Sequence, residues 1–218
     1  MIYIMSDLHG CKELFLQMLR GIKFDEERDK IIIAGDVIEK GRDSIALLEC
    51  ISKMRGVTCI LGNHELDLLK EARHLTRDRG ALDRLRLRFS DGHLLTWELI
   101  DYIETWQLYY EEENFLVVHA GVPLDSGFPL LDESSPEQIV NDRRFRNAEY
   151  RGKTVFFGHT ETPNKRIVGF LRRGVKHPER LSDYSKIWLD CGAWHTGTLG
   201  AFCTDNLRCY YVEGEKKA

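Results

Sequence analysis

The sequence predicts an α/β domain, and three observations carry that expectation. Short apolar runs recur at 1–5, 30–34, 57–61, 115–118, 154–157 and 187–190. None is long enough to span a bilayer, and each suits a strand buried on both faces. Two amphipathic segments separate the first three runs, so strand and helix alternate as they do around a parallel sheet. Hydrophobic residues make up 43% of the 218, enough for one compact domain with its own core.

Each element has its own local reason. Residues 1–5 (MIYIM) open with a strand, and 11–22 place Leu14, Phe15, Met18 and Leu19 on one helical face. The β-branched run 30–34 (KIIIA) is the second strand. Residues 43–55 form a helix carrying Ile45, Leu47, Leu48 and Ile51, and 57–61 (VTCIL) make a third strand. Residues 64–110 lack a strong strand signal and are rich in Leu, Arg and Asp, which predicts an insertion of two or three helices. Its Arg73, Arg77, Arg79, Arg84, Arg86 and Arg88 read as a solvated face paired with acids, with a substrate-facing basic patch as the alternative.

Runs 115–118, 154–157 and 187–190 are three further strands. Three of the five prolines fall in 123–137, which predicts a loop, and a helix over about 136–147 follows it. Segments 199–203 and 207–212 flank the turn signal Asp205-Asn206 and read as a hairpin. Trp97, Trp106 and Trp188 fit apolar faces, whereas His74, His93 and His177 read as surface residues. We take 1–213 as a single catalytic domain and 214–218 as a frayed tail.

The net charge of −4 and pI near 6.1 argue against a nucleic-acid binder. The N-terminus has no basic segment and enters a strand at once, so no signal peptide is expected. Six scattered cysteines form no C-x-x-C pair, which argues against a zinc ribbon or thioredoxin-like site and favours buried free thiols in a cytoplasmic protein.

The chemistry sits in five short clusters: Asp7-Leu8-His9-Gly10, Gly35-Asp36, Gly62-Asn63-His64-Glu65, Val118-His119-Ala120-Gly121 and Gly158-His159-Thr160. Each falls where a buried strand would end and a loop begin. Asp, His and Asn are oxygen and nitrogen ligands, and strand ends that deliver several of them can converge on a two-metal hydrolytic site. Asp7 and His9 stand two apart, so strand alternation would put both on one face. The Asp36 carboxylate has two oxygens and can bridge two cations. Mixed N/O ligation suits manganese, iron or zinc better than calcium.

In order, these blocks resemble the calcineurin-like metallophosphoesterase superfamily, most closely its phosphoprotein phosphatase branch, over residues 1 to about 213. The resemblance implies a two-sheet sandwich flanked by helices, where β-α alternation alone would permit one open sheet. It also implies a metal site in which Asp7, His9 and Asp36 hold one divalent ion and Asp36, Asn63, His119 and His159 hold a second. His64 would be the general acid, oriented by Glu39. Lys40, Arg143 and Arg42 would bind the substrate phosphate, with Arg144 as the alternative to Arg143. A water held between two metals, most simply Mn²⁺ with Fe or Zn as alternatives, would attack phosphorus in line with the leaving group.

The chain departs from the pattern at two places. Glu39-Lys40-Gly41 replaces the family's Asp-Arg-Gly, and Leu61 stands where an arginine is common. Lysine keeps the charge but lacks the planar fork that grips phosphate. The leading expectation is a phosphatase for phosphomonoesters, with phosphoserine or phosphothreonine in proteins as substrate. The alternative is a hydrolase of dinucleoside polyphosphates, and a third reading is a silent binding module. No obligate partner, membrane or nucleic acid is expected. His195 reads as a loop histidine or as a substrate contact.

Overall fold

The computed structural model describes residues 1–214; residues 215–218, most of the expected tail, lie outside the described residues. The chain begins β1 (Ile2–Met5), α1 (Lys12–Ile22), β2 (Lys30–Ile33), α2 (Ser44–Ser52) and β3 (Val57–Cys59). Three α-helices, α3 (Asn63–Arg73), α4 (Arg79–Arg86) and α5 (Trp97–Glu104), fill the expected insertion, with a 3-10 turn at Gly92–Leu94. β4 (Tyr109–Glu111) follows, although the sequence offered no strand there. Then come β5 (Phe115–Val118), β6 (Leu124–Asp125) and β7 (Phe128–Pro129). The last two strands form a minimal hairpin inside the proline-rich segment read as loop.

The helix expected over 136–147 is split. α6 (Pro136–Asn141) starts on a Ser135 cap and ends at Asp142, whose ψ of 92° leaves the helical region. A 3-10 turn at Phe145–Asn147 then precedes β8 (Thr154–Phe157). β9 (Val168–Leu171), β10 (Tyr184–Trp188), α7 (Ala193–Thr196), β11 (Thr198–Cys203) and β12 (Cys209–Glu213) complete the described chain. β9 escaped the sequence reading because it is a half-exposed edge strand containing Gly169, with little apolar signal.

The strands divide between two five-stranded sheets, β12-β11-β1-β2-β3 and β4-β5-β8-β10-β9. β1, β2 and β3 run parallel, as the alternation predicted. Side-chain alternation explains the layering. Ile4, Ile32, Phe115, Val117, Phe156, Ile187 and Phe202 turn inward and meet between the sheets. Tyr3, Met5, Ile31 and Ile33 turn outward against α1, α2 and the insertion, while Leu116, Val118, Val155 and Phe157 face α6 and its following turn. Both faces of each central strand are therefore dry, which is why these strands read as unbroken apolar runs.

Two polar anchors fix the surrounding loops. Asp91 Oδ2 accepts from the Ile45 and Ala46 N–H groups, both at 2.9 Å, so the insertion itself caps α2. Buried Lys186 donates to the carbonyls of Phe145, Arg146 and Ala148 at 2.8–3.0 Å, pinning the turn that follows Arg143. Trp106 and Trp188 are buried as expected, whereas Trp97 is only half-buried beneath Arg77. Cys50, Cys59, Cys191, Cys203 and Cys209 carry free thiols. Among the described residues no helix is long and apolar enough to cross a membrane.

Candidate metal centre

Five strand ends deliver the polar clusters to one place. Asp7 and His9 follow β1, Asp36 follows β2, and Asn63 and His64 open α3 after β3; His119 follows β5 and His159 follows β8. One sheet thus supplies the first five residues and the other sheet supplies both remaining imidazoles. The way Asp7 and His9 converge differs from the expectation of strand alternation. β1 ends at Met5, and Asp7 and His9 lie beyond it at φ 52° and 43°. Asp36, Glu39, Lys40 and His159 also have positive φ, of 54°, 67°, 60° and 66°. Left-handed backbone is costly for residues with a Cβ, so strain is concentrated where the ligand-bearing loops turn.

The donor atoms face one another rather than solvent. Asp36 is 2% exposed; its Oδ1 lies 3.4 Å from His119 Nε2, and its Oδ2 lies 3.4 Å from His9 Nε2. His119 Nε2, His159 Nδ1 and Asn63 Oδ1 form a triangle with sides of 3.2, 2.9 and 3.1 Å. Hydrogen bonds satisfy that triangle incompletely, because one shared proton cannot serve all three sides, whereas a bound cation could be met by all three atoms. Asp36 belongs both to a compact ligand group with His9 and His64 and to a second with His119 and His159. Asp7 stands beside them, its carboxylate accepting from the His159 N–H at 3.0 and 3.2 Å. Close packing fixes this arrangement: a Cβ on Gly62 would strike Asp36, and one on Gly158 would strike Asp7.

The electrostatics agree with a site built for positive charge. Burial lowers the His119 imidazole, but Asp36 and Asp7 override it and push it up to about 10. Burial, His119 and Arg143 hold His159 down near 3, so its ring is neutral. Burial raises the Asp7 carboxyl to about 6. Burial also opposes ionisation of Asp36, yet His119, His9 and His64 hold it well below the usual carboxylate range.

Glu65 was given no role from sequence, although a Glu three residues after Gly62 fits a helix-capping position. It is fully buried, and its two oxygens accept from four backbone N–H groups: Asp36, Val37, Ile38 and Gly62, at 2.9–3.1 Å. One carboxylate therefore ties the loop of Asp36 to the start of α3.

Around this centre, His64 Nδ1 pairs with Glu39 Oε2, which leaves Nε2 facing Asp36 Oδ2 at 3.8 Å. Lys40 Nζ lies 2.8 Å from His9 Nε2. A cavity of about 370 Å³ opens over Asp7, His9 and His159 and is bordered by Lys40, Arg143, Asp190 and His195. Arg143 reaches this mouth, while Arg144 is 92% exposed and turns to Asp142. Arg42 faces a neighbouring cleft beside Lys12 and Trp194. His195 sits at the rim, 3.2 Å from Glu161. His74, His93 and His177 are exposed. Arg73, Arg77 and Arg86 pair with Glu104, Asp101 and Asp83, as a solvated face should.

The fold and ligand set define a phosphoesterase. The chain belongs to the calcineurin-like phosphoesterase family, whose profile matches residues 1–187. The family implies divalent metal ions. The chain is 36% identical over 123 residues to the symmetrical bis(5'-nucleosyl)-tetraphosphatase of Nitrosomonas europaea, covering 55% of this chain and 44% of that protein. It is equally identical over 128 residues to the same-named protein of Azotobacter vinelandii, covering 56% and 44%. The chain thus spans less than half the length of these relatives. Among solved structures, one assigned provisionally as a diadenosine tetraphosphatase superposes at TM-score 0.72 with 21% identity, covering 99% of this chain and 94% of that one. A protein serine/threonine phosphatase from Saccharomyces cerevisiae superposes at 0.60 with 16% identity, covering 100% and 81%; at such identities the likeness is of fold.

These relatives overturn the expectation of a serine/threonine protein phosphatase and favour the dinucleoside polyphosphate alternative. The physical reason is that the five motif blocks gather one compact set of polar side chains, which does not specify the rest of the substrate. The signal available in sequence was the loss of two arginines, at Lys40 and Leu61.

Proposed function

We propose that this chain hydrolyses symmetrical dinucleoside tetraphosphates to two nucleoside diphosphates. The observation that carries the reading is 36% identity to symmetrical tetraphosphatases across 123 residues. The site supports it with a polar cavity flanked by Lys40 and Arg143, whose charges suit a polyphosphate chain. Asp7, His9 and Asp36 would hold one divalent ion, and Asp36, Asn63, His119 and His159 a second; manganese fits the mixed donor set, with iron or zinc as alternatives. When bound, the two ions would acidify a shared water and neutralise phosphate charge. Lys40 and Arg143 orient the phosphates for in-line displacement. Glu39 fixes the His64 ring so that Nε2 can give a proton to the departing phosphate oxygen. The free thiols of Cys50, Cys59, Cys191, Cys203 and Cys209 and a net charge of −4 suit a cytoplasmic enzyme.

The test incubates the chain and manganese with a dinucleoside tetraphosphate and, separately, with a phosphoserine peptide. Nucleoside diphosphate as the sole nucleotide product is expected. A mixture of mono- and triphosphate, or peptide turnover alone, would refute the reading.

Metal binding should also release protons. His119, pushed up to about 10, is protonated at neutral pH in the metal-free chain, and a cation takes its Nε2 only as that proton leaves. Metal affinity should therefore rise with pH from the Asp7 range near 6 towards 10. Calorimetry at pH 7.5 in buffers of different ionisation enthalpy should show about one proton released. A buffer-independent heat would contradict this assignment of His119.

A further inference from the structure

We propose that Arg88 is a positioning residue for His64, acting through Glu39; the role rests on the placement of His64 at the leaving group. Arg88 follows α4, 49 residues from Glu39 in sequence. Its Nε donates to Glu39 Oε1 at 2.7 Å, and its Nη2 meets the same oxygen. The other Glu39 oxygen holds His64 Nδ1, so both oxygens of one carboxylate are committed. On the far side, Arg88 Nη1 donates to Glu71 Oε2 at 2.8 Å. Glu71 belongs to α3, the helix whose first turn carries His64. The guanidinium therefore closes a loop from His64 through Glu39 and back to the helix that bears the histidine.

Arg88 differs from its neighbours in the insertion. It is 23% exposed, whereas Arg73 and Arg77 are 59% and 54% exposed and pair with surface acids. The need for it follows from Glu39 itself. Glutamate has one more rotatable bond than aspartate, and here it stands on a left-handed backbone at φ 67°. Unrestrained, its carboxylate would leave the imidazole often. A planar, permanently charged fork fixes the second oxygen and removes that freedom. Lysine at this position would keep the charge and lose the fork.

The experiment compares the full chain with Arg88→Met and Arg88→Lys by two readouts. The first is the His64 Nδ1–H proton resonance in ¹⁵N-histidine-labelled protein without added metal, assigned by its loss in His64→Gln. We expect it to move upfield or vanish through solvent exchange in Arg88→Met, with an intermediate shift in Arg88→Lys. The second is turnover of a dinucleoside tetraphosphate with manganese. There kcat should fall about tenfold in Arg88→Met with KM within about twofold, the low end of the loss seen when residues behind metal ligands are removed. An unchanged resonance, or an unchanged kcat, would overturn the proposal. If Arg88→Met fails to fold, Arg88→Lys decides it: wild-type resonance and wild-type kcat together would refute the role. If the unmutated chain leaves the dinucleotide intact, the substrate reading fails, and the resonance still settles what Arg88 does.

Discussion

Asp36→Asn should lower turnover of a dinucleoside tetraphosphate by at least about a thousandfold, equivalent to about 4 kcal/mol of transition-state stabilisation. Asp36 is the one carboxylate shared by both ligand groups, with an oxygen turned to His9 and another to His119. Asparagine preserves the shape and removes the charge. It also presents an NH₂ group where one cation would sit, so the defect is repulsion as well as lost attraction. Elemental analysis after dialysis should show metal content falling with activity, while the circular dichroism of the metal-free protein stays unchanged. Near-normal turnover with two metals bound per chain would mean that Asp36 does not bridge.

Glu65→Ala should destabilise the metal-free protein by about 4 kcal/mol or more. Four backbone N–H groups converge on this carboxylate in a fully buried position. A buried donor left without an acceptor costs about 1–3 kcal/mol, and total stability for a domain is about 5–15 kcal/mol. The loss would fall on the loops that hold Asp36 and Asn63, so metal affinity should collapse before the rest of the fold does. Urea denaturation would measure the stability change. Glu65→Gln is the informative partner, since its carbonyl can serve two donors while its NH₂ opposes the other two. A loss below about 1 kcal/mol for Glu65→Ala would mean that water replaces the carboxylate at little cost.

Much of the candidate site was legible because its residues cluster beside strong strand signals. Asp7, Asp36, Asn63, His119 and His159 each follow a buried apolar run, and the structure brings their side chains together at one end of the sheets. Arg88 was not legible. Nothing in its local pattern separates it from Arg84 or Arg86, and its partner is distant in sequence. The substrate was misjudged for a related reason: residues that hold metal are compact motifs, while residues that choose between a phosphopeptide and a dinucleotide are scattered around the mouth.

By itself the sequence determined the central buried strands, the helices between the first three of them, and the polar residues at their ends. A strand buried on both faces must be apolar at every position, and a ligand loop must follow it directly, so both leave contiguous signatures. Tertiary structure alone decided the division into two sheets, the left-handed turns at Asp7, His9 and Asp36, the fourfold grip of Glu65, and the reach of Arg88 to Glu39. Those features depend on which distant segments meet in space, and no periodicity along the chain records such meetings.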